Sequence, residues 1–77
     1  MSTKKRVKRL IVEYFDIEPD LIVRDANLFN DLGMDDSDRL DLVMYLEEEF
    51  GTVFPEDSLD DFVMVSDLVA FIKEDSD

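Results

Sequence analysis

Asp35, Asp36, Ser37 and Asp38 hold the densest chemistry in the chain, one primary hydroxyl set among three carboxylates. A hydroxyl so placed can accept a covalent group, while the carboxylates can cap a helix or draw in a cation. Catalysis by the chain alone is a poor fit. There is no cysteine and no histidine, which removes thiolate nucleophiles, the usual zinc sites and imidazole proton relays. The two tyrosines and few lysines show no arrangement that would activate a nucleophile, so the chain is read as not an enzyme. Asp35, Asp36 and Asp38 also fall short of a metal centre. The glycine and terminal glutamate of an EF-hand loop are missing at the required spacing, and no metal site beyond weak, screened association of divalent ions is expected. Asp36 and Ser37 have a purely structural reading as well, since both residue types are preferred at helix N-termini.

These residues sit in a chain of 77, enough for one small domain spanning residues 1–77 with a single core. With 21 acidic against 8 basic side chains the formal charge is −13, which disfavours nucleic-acid phosphates and anionic membranes and favours basic partner surfaces. The charge is unevenly placed. Lys4, Lys5, Arg6, Lys8 and Arg9 crowd the first helix, whereas residues 31–61 hold a dozen carboxylates and one base, Arg39. The N-terminus turns amphipathic at once and has no apolar stretch of signal or membrane-spanning character, so a cytoplasmic, soluble monomer is expected.

Helical periodicity supplies the elements that would position the acidic hydroxyl. Val7, Leu10, Ile11 and Tyr14 recur at helical spacing and predict a first helix over Thr3–Phe15 with Thr3 as its N-cap. Residues 16–30 contain Pro19 and several turn formers, yet also Leu21, Ile22, Val23, Leu28 and Phe29, which predicts a long loop pinned onto the core. Gly33 closes the turn before a second helix capped by Asp36. Its predicted buried stripe is Leu40, Val43, Leu46 (or Glu47 beside it) and Phe50, with Asp38, Asp41, Glu48 and Glu49 mainly off it and Leu42, Met44 and Tyr45 widening the apolar surface. Gly51 ends this helix, and Pro55 precedes a short helical segment over residues 57–62. Ser66 caps a last helix with Val65, Leu68, Val69 and Ile72 inward, and residues 73–77 are expected to fray.

Asp31-Leu32-Gly33, the run Leu42-Val43-Met44 with Leu46-Glu47-Glu48-Glu49-Phe50, and Pro55 five residues later together resemble the acyl carrier protein family. The likeness extends from Arg6-Val7-Lys8-Arg9 to Phe71-Ile72 without insertion. It implies an all-α fold, a small four-helix bundle with a long first loop and a short third helix. It also implies a 4'-phosphopantetheine arm on a serine at the start of the second helix. Counted without gaps from Gly33 or back from Phe50, the family's serine position falls on Asp36, and Ser37 lies one residue later. A carboxylate at that place would form a labile acyl phosphate and not a stable phosphodiester, so Asp36 cannot carry the arm. Ser37 is the candidate attachment residue.

The resemblance further implies docking through the acidic helix, with Asp35, Asp38, Asp41, Glu47 and Glu48 steering basic patches on partners and Met44 as the apolar contact among them. The implied partners are a phosphopantetheinyl transferase and acyl-transferring or condensing enzymes. Leu46, Phe54, Leu59 and Phe62 would border the space between helices in which an acyl chain folds back; their bulk predicts a narrow or filled cavity. Two functions stay open on these residues. One is a specialised carrier presenting an acyl thioester in fatty-acid, polyketide or modified-lipid synthesis. The other is a carrier-like adaptor without the arm, which binds a partner through the same helix and keeps Asp36 as a permanent charge and cap.

Overall fold

The computed structural model describes residues 2–76, with side chains described through residue 73. Three α-helices, α1 (Thr3–Phe15), α2 (Asp36–Phe50) and α3 (Val65–Ser76), pack into a small all-α bundle, with 3-10 turns at Pro19–Leu21 and Glu56–Asp61. The short third helix expected from the sequence is thus the 3-10 turn Glu56–Asp61, displaced by one residue from the predicted 57–62. The last helix runs on to Ser76 where fraying from residue 73 was expected, and Asp77 lies outside the described residues.

Each helix start differs from its predicted cap for a local reason. In α1 the cap is Ser2, whose hydroxyl accepts the Lys5 N–H at 3.2 Å, and not Thr3. In α2 the cap is Asp35, not Asp36. Asp35 accepts the Asp38 N–H at 2.8 Å, and Asp38 accepts the Asp35 N–H at 3.3 Å, a reciprocal box that satisfies both ends. A box starting at Asp36 would need an acceptor three residues on, where Arg39 offers only donors. At α3 the expected cap Ser66 lies inside the helix at its second position, and the Asp67 carboxylate one residue on accepts the N–H groups of Val63 (3.0 Å) and Met64 (2.9 Å), which precede the helix. The first amides of α3 go to the long loop, Val65 N–H to the Ala26 carbonyl and Ser66 N–H to the Arg24 carbonyl, both at 3.0 Å.

That loop is pinned, but not through all the residues expected. Ile22 and Leu28 are buried, together with Ala26, and Phe29 is half-buried against the core, whereas Leu21 and Val23 remain about half exposed. Asn27 organises its last turn by accepting the N–H groups of Phe29 (2.9 Å) and Asn30 (3.0 Å), while Asp31 accepts the Asn27 N–H at 2.7 Å. Gly33 then turns the chain into α2 with φ of 71°, a left-handed value that costs a residue with a Cβ about 1–2 kcal/mol. The core gathers Val7, Leu10 and Ile11 of α1, Leu42, Val43 and Leu46 of α2, and Val65, Leu68 and Ile72 of α3. At one end Phe54, Phe62 and Phe71 interlock, with ring centroids 4.5 to 5.5 Å apart.

The buried stripe of α2 is rotated from the predicted one. Leu42 is fully buried, while Leu40 is 49 % exposed. Arg39 causes the turn. Its guanidinium lies over the Phe29 ring, 5.0 Å from the centroid, and donates to the Phe62 carbonyl at 3.5 Å and to Asp60 at 3.2 Å. With Arg39 held inward, its neighbour Leu40 is carried outward by the roughly 100° step between successive helical residues.

Candidate functional site at the start of the acidic helix

The reciprocal box at Asp35 and Asp38 sets the register of α2 and so fixes what the next two residues face. Asp36 takes the first helical position and Ser37 the second. Asp36 leans toward Arg39, 3.6 Å from its guanidinium, which also holds Asp60. The Asp36 and Asp60 side chains are 92 % and 96 % exposed, so the exchange with Arg39 is water-screened on their side, while Arg39 itself is only 11 % exposed.

Ser37 stands apart from this bridge. It is exposed, and its hydroxyl makes no hydrogen bond among the described residues. Stepping about 100° per residue puts it roughly opposite the buried stripe of Arg39, Leu42, Val43 and Leu46. The same arithmetic aligns Ser37 with Leu40, Asp41, Met44 and Glu48 in one outward stripe about 100° wide. All of these are exposed, Leu40 and Met44 by about half.

The acidic residues expected to dock partners divide by what they touch. The side chains of Asp41, Met44 and Glu48 project outward and form no hydrogen bond or ion pair among the described residues. Asp35 and Asp38 serve the helix start. Glu47 points toward the following segment, where its carboxylate accepts the Phe54 N–H at 2.8 Å, and it is half-buried. Sequence reasoning missed Leu40 as an exposed apolar neighbour of Met44, and missed Arg39 as an anchor. A single base among a dozen carboxylates was the available signal, but its partners Asp60 and Phe62 lie more than 20 residues downstream.

The residues bordering the expected acyl cavity are brought together. Leu46, Phe54 and Phe62 are buried in one core, with Leu59 half-buried against it. Phe71, which the sequence reading did not place at this cavity, stacks on Phe54. Among the described residues, no group of His, Cys, Asp or Glu is placed to hold a metal ion, and no helix is long and apolar enough to cross a membrane.

Comparison with known proteins identifies the family. The family model described as phosphopantetheine attachment site matches residues 5–72. The chain is 43 % identical over 73 residues to an acyl carrier protein of Zymomonas mobilis subsp. mobilis, an alignment covering 95 % of this chain and 94 % of that one. The residues present fit the group this family carries. Ser37 offers an accessible, unpartnered hydroxyl, and the N–H groups of Asp36 and Ser37 at the helix N-terminus make no hydrogen bond among the described residues, leaving them free for a phosphodiester oxygen. The chain therefore belongs to the acyl carrier protein family, a family of non-catalytic carriers whose prosthetic group is 4'-phosphopantetheine.

Proposed function

We propose that the chain is a specialised acyl carrier that holds its arm on Ser37 and presents a thioester-bound acyl group to enzymes of fatty-acid, polyketide or modified-lipid synthesis. The observation that carries this reading is the outward stripe itself, a free hydroxyl at its head followed by Leu40, Asp41, Met44 and Glu48. When bound, the arm supplies a terminal thiol on which an acyl group is held as a thioester. The chain's own residues do the rest. Ser37 would provide the oxygen that attacks the pantetheine-side phosphorus of the coenzyme A diphosphate, forming the phosphodiester as the diphosphate P–O bond breaks and adenosine 3',5'-bisphosphate leaves, with the serine proton passing to the transferase. Asp41 and Glu48 steer basic surfaces toward the stripe, a long-range effect that weakens as salt is added. Leu40 and Met44 supply the apolar contact once the partner has arrived.

Asp35, Asp38 and Glu47 act on this site as positioning residues, holding the helix start and the segment that follows it. The Phe54, Phe62 and Phe71 cluster favours a short cargo or one lying outside the bundle. The protein acts as a cytoplasmic monomer alongside its transferase and its acyl-transferring or condensing enzymes.

A second reading has its own observation. Asp36, at the family's serine position, bridges to Arg39 and through it to Asp60. An adaptor without the arm would use that fixed charge in place of a phosphodiester. Intact mass after incubation with coenzyme A and a broad-specificity phosphopantetheinyl transferase separates the two. The carrier gains the arm on the native chain and loses that gain in Ser37→Ala, whereas the adaptor gains it only as Asp36→Ser.

A further inference from the structure

Two grooves flank α1, and their charges differ. The one against α2, about 520 Å³, is lined by Arg6 and Arg9 but also by Glu13, Glu48 and Glu49, so it carries charges of both signs. Arg6 is already spent there, 3.3 Å from the Glu49 carboxylate and over the Phe50 ring at 4.2 Å. The second groove, about 410 Å³, lies between the start of α1, the long loop and α3. Lys4, Arg24 and Lys73 surround it, Val65, Val69 and Ala70 form its apolar wall, and Ser66 adds a hydroxyl. No acid is among the described residues that line it. None of the three bases has an ion pair among the described residues, although the chain carries 21 carboxylates against 8 bases.

We propose that this α1–α3 groove is a binding site for an anionic amphiphile, a carboxylate or phosphate-monoester head on a short apolar body. The volume lies within the usual range of small-ligand sites, and an apolar wall with a few convergent polar groups is their common composition. Three cations and the Ser66 hydroxyl receive the head, and Val65, Val69 and Ala70 receive the body. The walls are held in place before any ligand arrives. The Arg24 and Ala26 carbonyls accept the Ser66 and Val65 N–H groups at 3.0 Å, which fixes the loop against α3 and reduces the ordering cost of binding. An uncharged amphiphile would leave the three cations without a counter-charge, and a bare anion would leave the wall wet. The pairing of the two features selects a ligand having both. This site is separate from the outward stripe of α2 and does not depend on whether Ser37 carries an arm.

The test is an amide NMR titration of the full chain with octanoate and with octyl phosphate, beside octanol and inorganic phosphate. Saturable shifts at Arg24, Ser66, Val69, Ala70 and Lys73 with either anionic amphiphile, at least about tenfold tighter than with octanol or phosphate alone, are expected. The arm that binds tighter identifies the head. Arg24→Gln combined with Lys73→Gln should weaken that binding about tenfold, since both side chains are exposed and the Arg24 carbonyl that pins the loop is retained. Circular dichroism checks that the variant keeps its helices. Equal binding of octanol and octanoate, binding untouched by the double substitution, or shifts centred instead on Leu46, Phe54 and Phe62 would each overturn the proposal.

Discussion

The inward and outward faces of α2 are built from similar residue types and do opposite things with them. Inward, Arg39 and Glu47 are charged yet committed, Arg39 to Asp60 and the Phe62 carbonyl and Glu47 to the Phe54 N–H, and they stand beside Leu42, Val43 and Leu46. Outward, Asp41 and Glu48 are charged and unpaired beside Leu40 and Met44. Under the proposed function, neither charge nor hydropathy alone would single out the residues of this helix that meet a partner; the lack of an internal partner at an exposed position would. A charge whose hydrogen bonds are satisfied inside the chain resists being redirected to a second molecule, whereas an unpaired one is free to meet it.

Substitutions on the two faces sharpen this contrast. Leu46→Ala, at a fully buried position, should cost about 2–5 kcal/mol, much of the stability of so small a domain, read as a fall in Tm. Arg39→Ala should cost about 1–3 kcal/mol, because it strands the Phe62 carbonyl and uncovers Phe29 as well as releasing Asp60. Chemical denaturation measures it, and a loss no larger than that of an ordinary surface substitution would mean that Arg39 does not anchor the helix. Glu47→Ala should cost about 1 kcal/mol, whereas Glu47→Gln, which keeps an acceptor for the Phe54 N–H, should cost less. Asp41→Asn and Glu48→Gln together should move stability by no more than about 0.5 kcal/mol. Their effect should appear instead as slower association with a basic partner, a difference that shrinks as salt is added. A stability loss from the outward pair matching that from Glu47 would erase the distinction between the faces.

Much of this arrangement is legible in the sequence, and the parts that are not share one cause. The three main helices follow from apolar periodicity and from Gly33 and Gly51, whose left-handed φ values of 71° and 65° are the kind that favour glycine at a turn or helix end. The Asp31-Leu32-Gly33 turn likewise locates the site segment. The orientation of single residues within it is not local information. Leu40 and Leu42 are equally apolar, and only the seating of Arg39 against Phe29 decides which of them is buried. Asp35 and Asp36 are equally good caps in isolation, and the residue three positions on selects between them. Ser66 reads as a cap, but its N–H is drawn to the Arg24 carbonyl and it lies inside the helix, while Asp67 accepts the N–H groups of Val63 and Met64 just before it. In each case the sequence offers two chemically similar candidates, and a contact that periodicity does not encode chooses one.

The central claim, that the outward stripe is a carrier face headed by Ser37, is tested most directly by intact mass after incubation with coenzyme A and a broad-specificity phosphopantetheinyl transferase. The native chain and Asp36→Ala should both gain one arm, and Ser37→Ala should gain none. No gain on the native chain, together with ready gain by Asp36→Ser, would contradict the claim and assign the face to an adaptor that binds without carrying.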